Sequence, residues 1–262
     1  MGILNVTPDS FSDGGAYRSV EEAIERGLEM EAEGAAILDV GGESTRPGSK
    51  PVPADEEMRR VIPVIRGLAA KTKAAISVDT TKAAVASAAV AAGAGIVNDT
   101  SALADDPGMA AVVRASGAAV VLMHRRGSPA TMQEAPRYDA LFDELLAELA
   151  GRIGAAQAAG IDTERILVDP GIGFGKRLCD NLELHRHLDR LRILGRPIVF
   201  GPSRKSFIGS LTGAGPADRT FGTAAAVAAA VLRGAHVVRV HDVKEMREVV
   251  EVAYAIRGET PW

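Results

Sequence analysis

The sequence predicts a (β/α)₈ barrel of the TIM type, an α/β fold, formed as a single domain by residues 1–262. Three observations lead to this prediction. Short apolar runs alternate with longer amphipathic stretches along the whole chain, and glycines stand just past several of the amphipathic stretches. The length of 262 residues is also close to the ~250 residues that are typical of one such barrel.

Eight apolar runs predict the strands. They are rich in Val, Ile, Leu and Ala, and they are continuous, as expected for a parallel sheet that helices cover on its outer face and a packed core fills on its inner face. The predicted strands are residues 2–6, 36–40, 75–78, 95–97, 118–123, 166–168, 197–200 and 237–240.

The stretches between these runs predict the helices. Glycine favours the left-handed backbone that ends a helix, and Gly34, Gly93, Gly117, Gly160 and Gly234 each stand just past a helical stretch. Eight βα units in a chain of this size close most simply as a barrel, and an open doubly wound sheet is the alternative. The predicted helices are residues 20–33, 55–70, 82–92, 109–116, 138–159, 181–191, 219–233 and 243–257.

Two predicted connections are long. Residues 7–17 follow the first strand and residues 41–53 follow the second, whereas βα connections are usually ~2–6 residues long. Long loops at the active-site end of a barrel are candidate lids over a substrate.

Composition and charge narrow the class of protein. The net charge is −4 without a basic stripe, so nucleic acid is not an expected partner. No apolar run reaches the ~18 residues of a membrane span, and the first residues lack the features of a signal peptide. Cys179 is the single cysteine, which fits a reducing compartment. These features predict a cytoplasmic protein.

Polar residues stand at or near the end of nearly every predicted strand. A single one would be read as a turn former or a helix cap, but the carboxyl ends of barrel strands converge on one mouth, where active sites lie. A set of this size therefore indicates a site. Its members are Asn5, Asp39, Asp79, Asn98, His124, Asp169, Ser203, Arg204, Lys205, Arg239 and His241.

The chemistry of these residues indicates a small anionic ligand with a polar ring. Carboxylate and amide groups at Asp79, Asn98 and Asp169 suit a heterocycle with adjacent N–H groups. Cationic side chains such as Arg46 and Arg239 suit phosphate. A hard cation such as Mg²⁺, held by one amide oxygen and substrate phosphates, is also compatible with the sequence.

Other candidate residues are explained by ordinary structural roles or by exposure to solvent. The glycine-rich residues 171–176 match no complete nucleotide motif, and they form either an ordinary turn or a close backbone approach to a ligand. His185 and His187 lie two apart on a predicted helix and are expected to face solvent. Arg125 and Arg126 are expected to be solvated loop charges.

Taken together, the motifs resemble the dihydropteroate synthase family, in the family's order and across the whole chain. The first two signatures are long and specific. The matching segments are residues 2–15, 39–48, 77–80, 97–99, 122–124, 169–176, 203–209 and 238–241.

The resemblance implies three adjoining subsites and a set of reactive groups. The implied pterin residues are Asp79, Asn98, Met123, Asp169, Phe174, Gly201, Lys205 and Arg239. The implied diphosphate residues are Asn5, Thr45, Arg46, Arg239 and His241, with Asn5 as the Mg²⁺ ligand. The implied 4-aminobenzoate residues are Phe11, Pro47, Phe174, Ser203 and Lys205. The implied catalytic residues are Asp79, Asp169, Lys205 and Arg239.

The implied reaction joins (7,8-dihydropterin-6-yl)methyl diphosphate to 4-aminobenzoate in an SN1-like step that releases diphosphate. Two alternatives remain open at this point: a pterin-dependent methyltransferase of the same fold and a non-catalytic pterin-binding paralogue. The predicted helix 219–233 is apolar nearly all round and rich in alanine. Such a helix needs cover on both sides, which predicts a homodimer interface there.

Overall fold

The computed structural model describes residues 1–6, 19–44, 49, 51–128 and 130–258. Within these ranges the strands are β1 Gly2–Asn5, β2 Ile37–Gly41, β3 Ala75–Asp79, β4 Ile96–Asp99, β5 Ala119–Met123, β6 Ile166–Asp169, β7 Val199–Phe200 and β8 Val237–Val238. All neighbouring strands are parallel.

The strands close into a barrel. Strands β1 to β6 pair in sequence order in one sheet, and β7 pairs with β8 in a second. Single bridges between Val168 and Ile198 and between Gly2 and Val240 join the two sheets at both edges. The predicted (β/α)₈ barrel is therefore confirmed, and the open-sheet alternative is wrong.

Helices follow the strands and cover the barrel. They are α1 Val20–Ala32, α2 Ala54–Ala69, α3 Ala83–Ala92, α4 Met109–Ser116, α5 Leu141–Ala158, α6 Leu178–Arg186, α7 Ser206–Thr212, α8 Thr220–Leu232 and α9 Val243–Arg257. Shorter 3₁₀ helices lie at Thr163–Arg165, Leu188–Leu194 and Pro216–Asp218. None of the helices in the described ranges has the length and apolarity required to cross a membrane.

Two helical predictions were incomplete. The predicted helix 181–191 is divided, because His187 has φ −128° and ψ 28° and ends α6 before the 3₁₀ helix begins. Helix α7 was not predicted, since its seven residues contain Gly209 and are too few to show a helical period. Strands β7 and β8 are also shorter than predicted, because Ile198 and Val240 make only single bridges.

The register of the sheet brings the polar strand ends together. Asp79 lies opposite Gly41 on one side and Asn98 on the other, and Met123 lies opposite Asp169. Apolar side chains of the same strands, including Leu38 and Leu122, are fully buried in the core. The core therefore fixes the strands, and the strands fix the polar side chains at one end of the barrel.

Candidate active site

A cavity lies at the carboxyl end of the strands. Its walls are formed by Asp79, Asn98, Thr100, Met123, Asp169, Gly171, Ile172, Phe174, Gly201, Lys205 and Arg239. All eight residues that the sequence analysis assigned to the pterin subsite are in this set. The sequence therefore located the cavity, although residues of six different βα units form it.

Arg239 lies at the centre of an ion-pair network. Its Nε donates to Asp39 Oδ2 at 2.6 Å, and its Nη2 donates to Asp79 Oδ2 at 2.7 Å. Asn98 Nδ2 donates to the same Asp39 oxygen at 3.1 Å. The carboxylates hold the guanidinium group in a fixed plane, because two of its nitrogen atoms are engaged.

Burial sets the protonation behaviour of this network. Burial raises the pKa of Asp79 to about 7, against the opposing effect of the Arg239 charge. Burial alone would lower the pKa of Arg239, but Asp39 and Asp79 raise it above its ordinary value. Arg239 therefore stays charged, while Asp79 can gain or lose a proton near neutral pH.

Asp169 and Lys205 form a second charged region of the cavity. Gly171 N donates to Asp169 Oδ1 at 2.7 Å, but burial still raises the pKa of Asp169. Burial and, to a smaller extent, the Arg239 charge lower the pKa of Lys205 to about 8, while Asp169 and Asp79 oppose the change. The ammonium group of Lys205 lies 4.1 Å from the centre of the Phe174 ring, within the range of a cation–π contact.

Three of the glycine-rich residues 171–176, namely Gly171, Ile172 and Phe174, line the cavity. Gly171 has φ +67°, and a methyl group on it would lie 2.0 Å from the carbonyl oxygen of His124. Only glycine allows the chain to pass so close to the end of β5. This close approach carries Phe174 against Met123 and Met132, with which it forms a small apolar cluster.

Ser203 and His241 lie together beside Lys205. The Ser203 hydroxyl accepts a hydrogen bond from His241 N at 3.2 Å and lies 2.9 Å from His241 Nδ1. Because the hydroxyl already accepts the backbone N–H, its own proton can go to Nδ1. Between Ser203 and Lys205, Arg204 has φ +56°. Non-glycine residues adopt this conformation at an energetic cost and often do so at functional sites.

Asn5 ends β1 on the same side of the barrel. A methyl group on Gly41 would lie 3.7 Å from Asn5 Oδ1 and 3.8 Å from Asp79 Oδ2. The two oxygen atoms therefore border the same small space that Gly41 leaves open. No group of three or more His, Cys, Asp or Glu side chains suited to a metal occurs in the part of the chain that the structure describes. This donor set fits Mg²⁺ held chiefly by substrate oxygens and water, and it does not fit a cage made by the protein alone.

Four predicted site residues, Phe11, Thr45, Arg46 and Pro47, lie outside the described residues. Two buried residues near the site were given no role by the sequence analysis. Asp39 was seen as a polar residue near a strand end, but its partner Arg239 is 200 positions away. Lys176 was seen only as the end of a glycine motif, and nothing in that motif indicates that its side chain turns inward.

Two predictions of solvent exposure, one for His185 and one for Arg125 and Arg126, were wrong. His185 does not face solvent, since its ring centre lies 4.9 Å from that of Phe200 and 5.0 Å from that of Phe207. Arg125 is paired with Asp105 at 2.8 Å, and Arg126 is paired with Glu144 at 2.6 Å. These arginines are parts of ion pairs beside the barrel mouth.

A larger cavity lies on the other side of Met123. It is bounded by residues of the loop after β4, the loop after β5 and helix α5, including Asp105, His124, Arg125 and Glu148. Of the residues assigned to the pterin subsite, this cavity contains only Met123 among its walls. Size alone would select it, but the buried acceptors for a polar ring lie in the smaller cavity.

Comparison with known proteins identifies the family. Residues 1–241 match the family described as pterin binding enzyme. The dihydropteroate synthase of Escherichia coli K12 is 46% identical over 255 residues, which cover 97% of this chain and 90% of that relative. The chain belongs to the dihydropteroate synthase family. The resemblance carried by the sequence motifs is thereby confirmed.

Solved dihydropteroate synthases share the fold. The Yersinia pestis enzyme, solved with a sulfonamide drug complex, has a TM-score of 0.95 at 43% identity, and the match covers 98% of this chain and 94% of that one. The Xanthomonas albilineans enzyme, solved with 4-aminobenzoic acid, has a TM-score of 0.92 at 50% identity, and the match covers 100% of this chain and 93% of that one. The similarity to dihydropteroate synthases thus includes every strand that contributes to the cavity.

Proposed function

We propose that this chain condenses (7,8-dihydropterin-6-yl)methyl diphosphate with 4-aminobenzoate to give 7,8-dihydropteroate and diphosphate. The observation that carries the proposal is the cavity in which buried Asp79, Asn98 and Asp169 lie with Lys205 and Arg239. Membership of the dihydropteroate synthase family supports the same reaction. The bound ligands of the two solved relatives, a sulfonamide and 4-aminobenzoic acid, also support it.

The pterin ring is proposed to bind by its polar edge. Asp79 and Asp169 would accept its N–H groups, and Asn98 can both donate and accept. Buried acceptors give strong selection, because a ligand without matching donors would leave them unpaired. Arg239 would lie against the ring face, in the plane that Asp39 and Asp79 already fix.

The bond to diphosphate is proposed to break before the new bond forms. The C–O bond at the pterin methylene carbon breaks, and its electron pair leaves with diphosphate. The acidic residues Asp79 and Asp169 would stabilise the positive charge left on the pterin. The amino nitrogen of 4-aminobenzoate then attacks that carbon and loses a proton, so no side chain of the enzyme has to act as the nucleophile.

The leaving diphosphate is proposed to lie at the cationic side of the mouth. Nη1 of Arg239 and the side chain of His241 would donate to it, together with Thr45 and Arg46. Asn5 would hold Mg²⁺, which neutralises negative charge on the diphosphate when bound. Exclusion of water by the surrounding walls would protect the pterin cation from hydrolysis.

The 4-aminobenzoate is proposed to bind between Phe174, Ser203 and Lys205, with Phe11 and Pro47 at the outer side. The Phe174 ring offers an apolar face, and Lys205 and the Ser203 hydroxyl offer polar contacts. Sulfonamides would occupy the same place, because they resemble this acid in shape and charge.

The proposed reaction is tested by adding both substrates and Mg²⁺ and measuring dihydropteroate and diphosphate together. We expect the two products in equal amounts, with turnover that requires both substrates and falls when EDTA removes Mg²⁺. A pterin-dependent methyltransferase would release no diphosphate, and a non-catalytic binding paralogue would form neither product. Either outcome would contradict the proposed function.

We further propose that the chain acts as a homodimer and that it is located in the cytoplasm. Its single cysteine is consistent with that reducing compartment. Helices α8 and α9 pack against each other and present apolar side chains outward, with Phe221 91% exposed and Ile256 70% exposed. Exposed apolar patches of this kind are typical of interaction surfaces, and a second copy would cover this one.

Replacing Phe221 with aspartate is expected to shift the protein from dimer to monomer, because a charge would have to be buried in the interface. Sedimentation velocity at micromolar concentration measures the change. Ile193→Asp is the matched control, since Ile193 is 81% exposed on the 3₁₀ helix before β7. A wild-type monomer, or a Phe221→Asp variant that remains dimeric, would contradict the proposed interface.

A further inference from the structure

Lys176 is a buried basic residue that has no role in the reaction proposed for this chain. Its side chain is 3% exposed and lies in the connection between β6 and α6. Its Nζ contacts three acceptors: His124 Nδ1 at 3.0 Å, the Phe174 carbonyl oxygen at 3.1 Å and the His124 carbonyl oxygen at 3.4 Å. One side chain therefore links the end of β5 to the loop that carries Phe174.

The contacts continue from His124 to solvent. His124 Nε2 lies 3.0 Å from Glu148 Oε2 on α5. Because Lys176 Nζ donates to Nδ1, the ring proton of His124 lies on Nε2, on the side of this carboxylate. Burial lowers the pKa of Lys176 to about 7. The contact between Glu148 and His124 is the main cause that lowers the pKa of Glu148 to about 2. Burial also lowers the pKa of His124, so the neutral ring links the Lys176 ammonium group to the Glu148 carboxylate.

The segment that Lys176 holds is fixed only in part by its own backbone, through a hydrogen bond from Phe174 N to the Gly171 carbonyl oxygen at 3.0 Å. Gly173 and Gly175 stand on either side of Phe174 and have φ of +79° and +61°. Glycine leaves the backbone many accessible conformations, so contacts from outside the segment are also needed to place the Phe174 ring. Lys176 binds the carbonyl of Phe174 itself, and Tyr138 donates to the carbonyl of Gly175 at 3.0 Å.

We propose that Lys176, braced by His124 and Glu148, is a positioning residue for 4-aminobenzoate. The inference rests on the proposed function. Lys176 holds Phe174 so that its ring stays 4.1 Å from the Lys205 ammonium group, where the two form one wall for the second substrate. Two of the three polar anchors proposed for the pterin, Asp79 and Asn98, lie on β3 and β4, away from this brace.

The first test is Lys176→Met, which retains the length of the side chain and removes its donors. Two buried carbonyl oxygens lose a partner, so we expect the segment to shift and the KM for 4-aminobenzoate to rise about tenfold. The KM for the pterin diphosphate is expected to change less than about twofold on the same scale. Equal changes in both constants would overturn the proposal, since a general loss of structure would affect both substrates.

Matched glutamines test the brace without altering the core. Glu148 and Glu144 both pair with Arg126, but only Glu148 contacts His124. We expect Glu148→Gln to raise the KM for 4-aminobenzoate selectively and Glu144→Gln to leave it unchanged. If both variants behave alike, the contact between Glu148 and His124 is not involved and the proposal fails. This comparison also stands if Lys176→Met does not fold.

A double-mutant cycle tests whether the effect passes through Phe174. In a Phe174→Leu background the ring is already absent, so adding Lys176→Met is expected to cause little further loss. Additive effects on the KM for 4-aminobenzoate would show that Lys176 acts by another route.

A crystal structure of Lys176→Met separates this inference from the proposed reaction, since it needs no turnover. We expect the Phe174 ring to move away from Lys205 while Asp79 and Asn98 keep their wild-type positions. An unmoved Phe174 ring would overturn the positioning role even if the wild-type protein makes dihydropteroate. A wild-type protein that makes none would refute the reaction, and the position of the ring would still decide whether Lys176 holds it.

Discussion

Arg239→Ala is expected to abolish measurable turnover and to lower the stability of the fold at neutral pH. The change removes a group placed to contact the pterin and the diphosphate, and loss of one such preorganised donor typically costs about 100-fold or more in rate. It also leaves Asp39 and Asp79 buried without their cation. Breaking a buried ion pair from one side typically costs about 3–5 kcal/mol, which urea denaturation would measure.

The pH dependence of that variant provides a second signature. The Arg239 charge lowers the pKa of Asp79, so its removal should raise this pKa above the present value of about 7. An acid whose pKa is raised by folding stabilises the protein when protonated and loses that contribution as pH rises through the folded-state pKa. We therefore expect Arg239→Ala to recover stability between pH 8 and pH 6.

Arg247→Ala is the control for Arg239→Ala. Arg247 pairs with Glu251 on the surface of α9, where both side chains are more than half exposed. Exposed pairs contribute little to stability, so this variant should keep wild-type turnover and unfolding. If Arg239→Ala kept the turnover and stability of Arg247→Ala, the ion-pair network around Arg239 would be needed neither for the reaction nor for the fold.

Gly171→Ala is expected to be the most damaging single-methyl change near the site. The added methyl group would lie 2.0 Å from the His124 carbonyl oxygen, so the backbone has to move. Movement would break the hydrogen bond from Gly171 N to Asp169 and displace Phe174. A misplacement of about 1 Å can cost about 100-fold in rate, and we expect a loss of at least that size in kcat/KM.

Gly117→Ala separates this clash from backbone strain. Gly117 has φ +66°, close to the +67° of Gly171, but nothing lies within 4 Å of a methyl group there. Both variants carry the cost of a left-handed alanine, about 1–2 kcal/mol, and only Gly171→Ala meets another atom. Equal losses of stability and activity in the two variants would show that contact with the His124 carbonyl oxygen does not cause the damage.

The fold could be predicted because its signals are local. A buried parallel strand shows as a continuous apolar run, and Gly93 and Gly117 ended α3 and α4 as expected. Helix α7 and the break at His187 were missed, because a seven-residue helix and a single departure from helical angles leave no period to detect. The closure of the barrel by single bridges likewise has no signature in the sequence.

The site was only partly predictable for a related reason. Residue type and position near a strand end were enough to select Asp79, Asn98 and Asp169. The ion-pair partners of Arg239 could not be predicted in this way. Asp39 and Asp79 lie 200 and 160 positions away in the sequence, and only the closed barrel brings them to Arg239. The inward turn of Lys176 depends on loops after two different strands, and no pattern within one loop could reveal it.

A crystal structure with 7,8-dihydropteroate tests the central claim most directly, because the two cavities beside Met123 are different candidate sites. We expect the polar edge of the pterin to lie within about 3.2 Å of Asp79, Asn98 and Asp169, with the aminobenzoyl ring beside Phe174 and Lys205. Product bound instead in the larger cavity, among Asp105, Arg125 and Glu148, would contradict it.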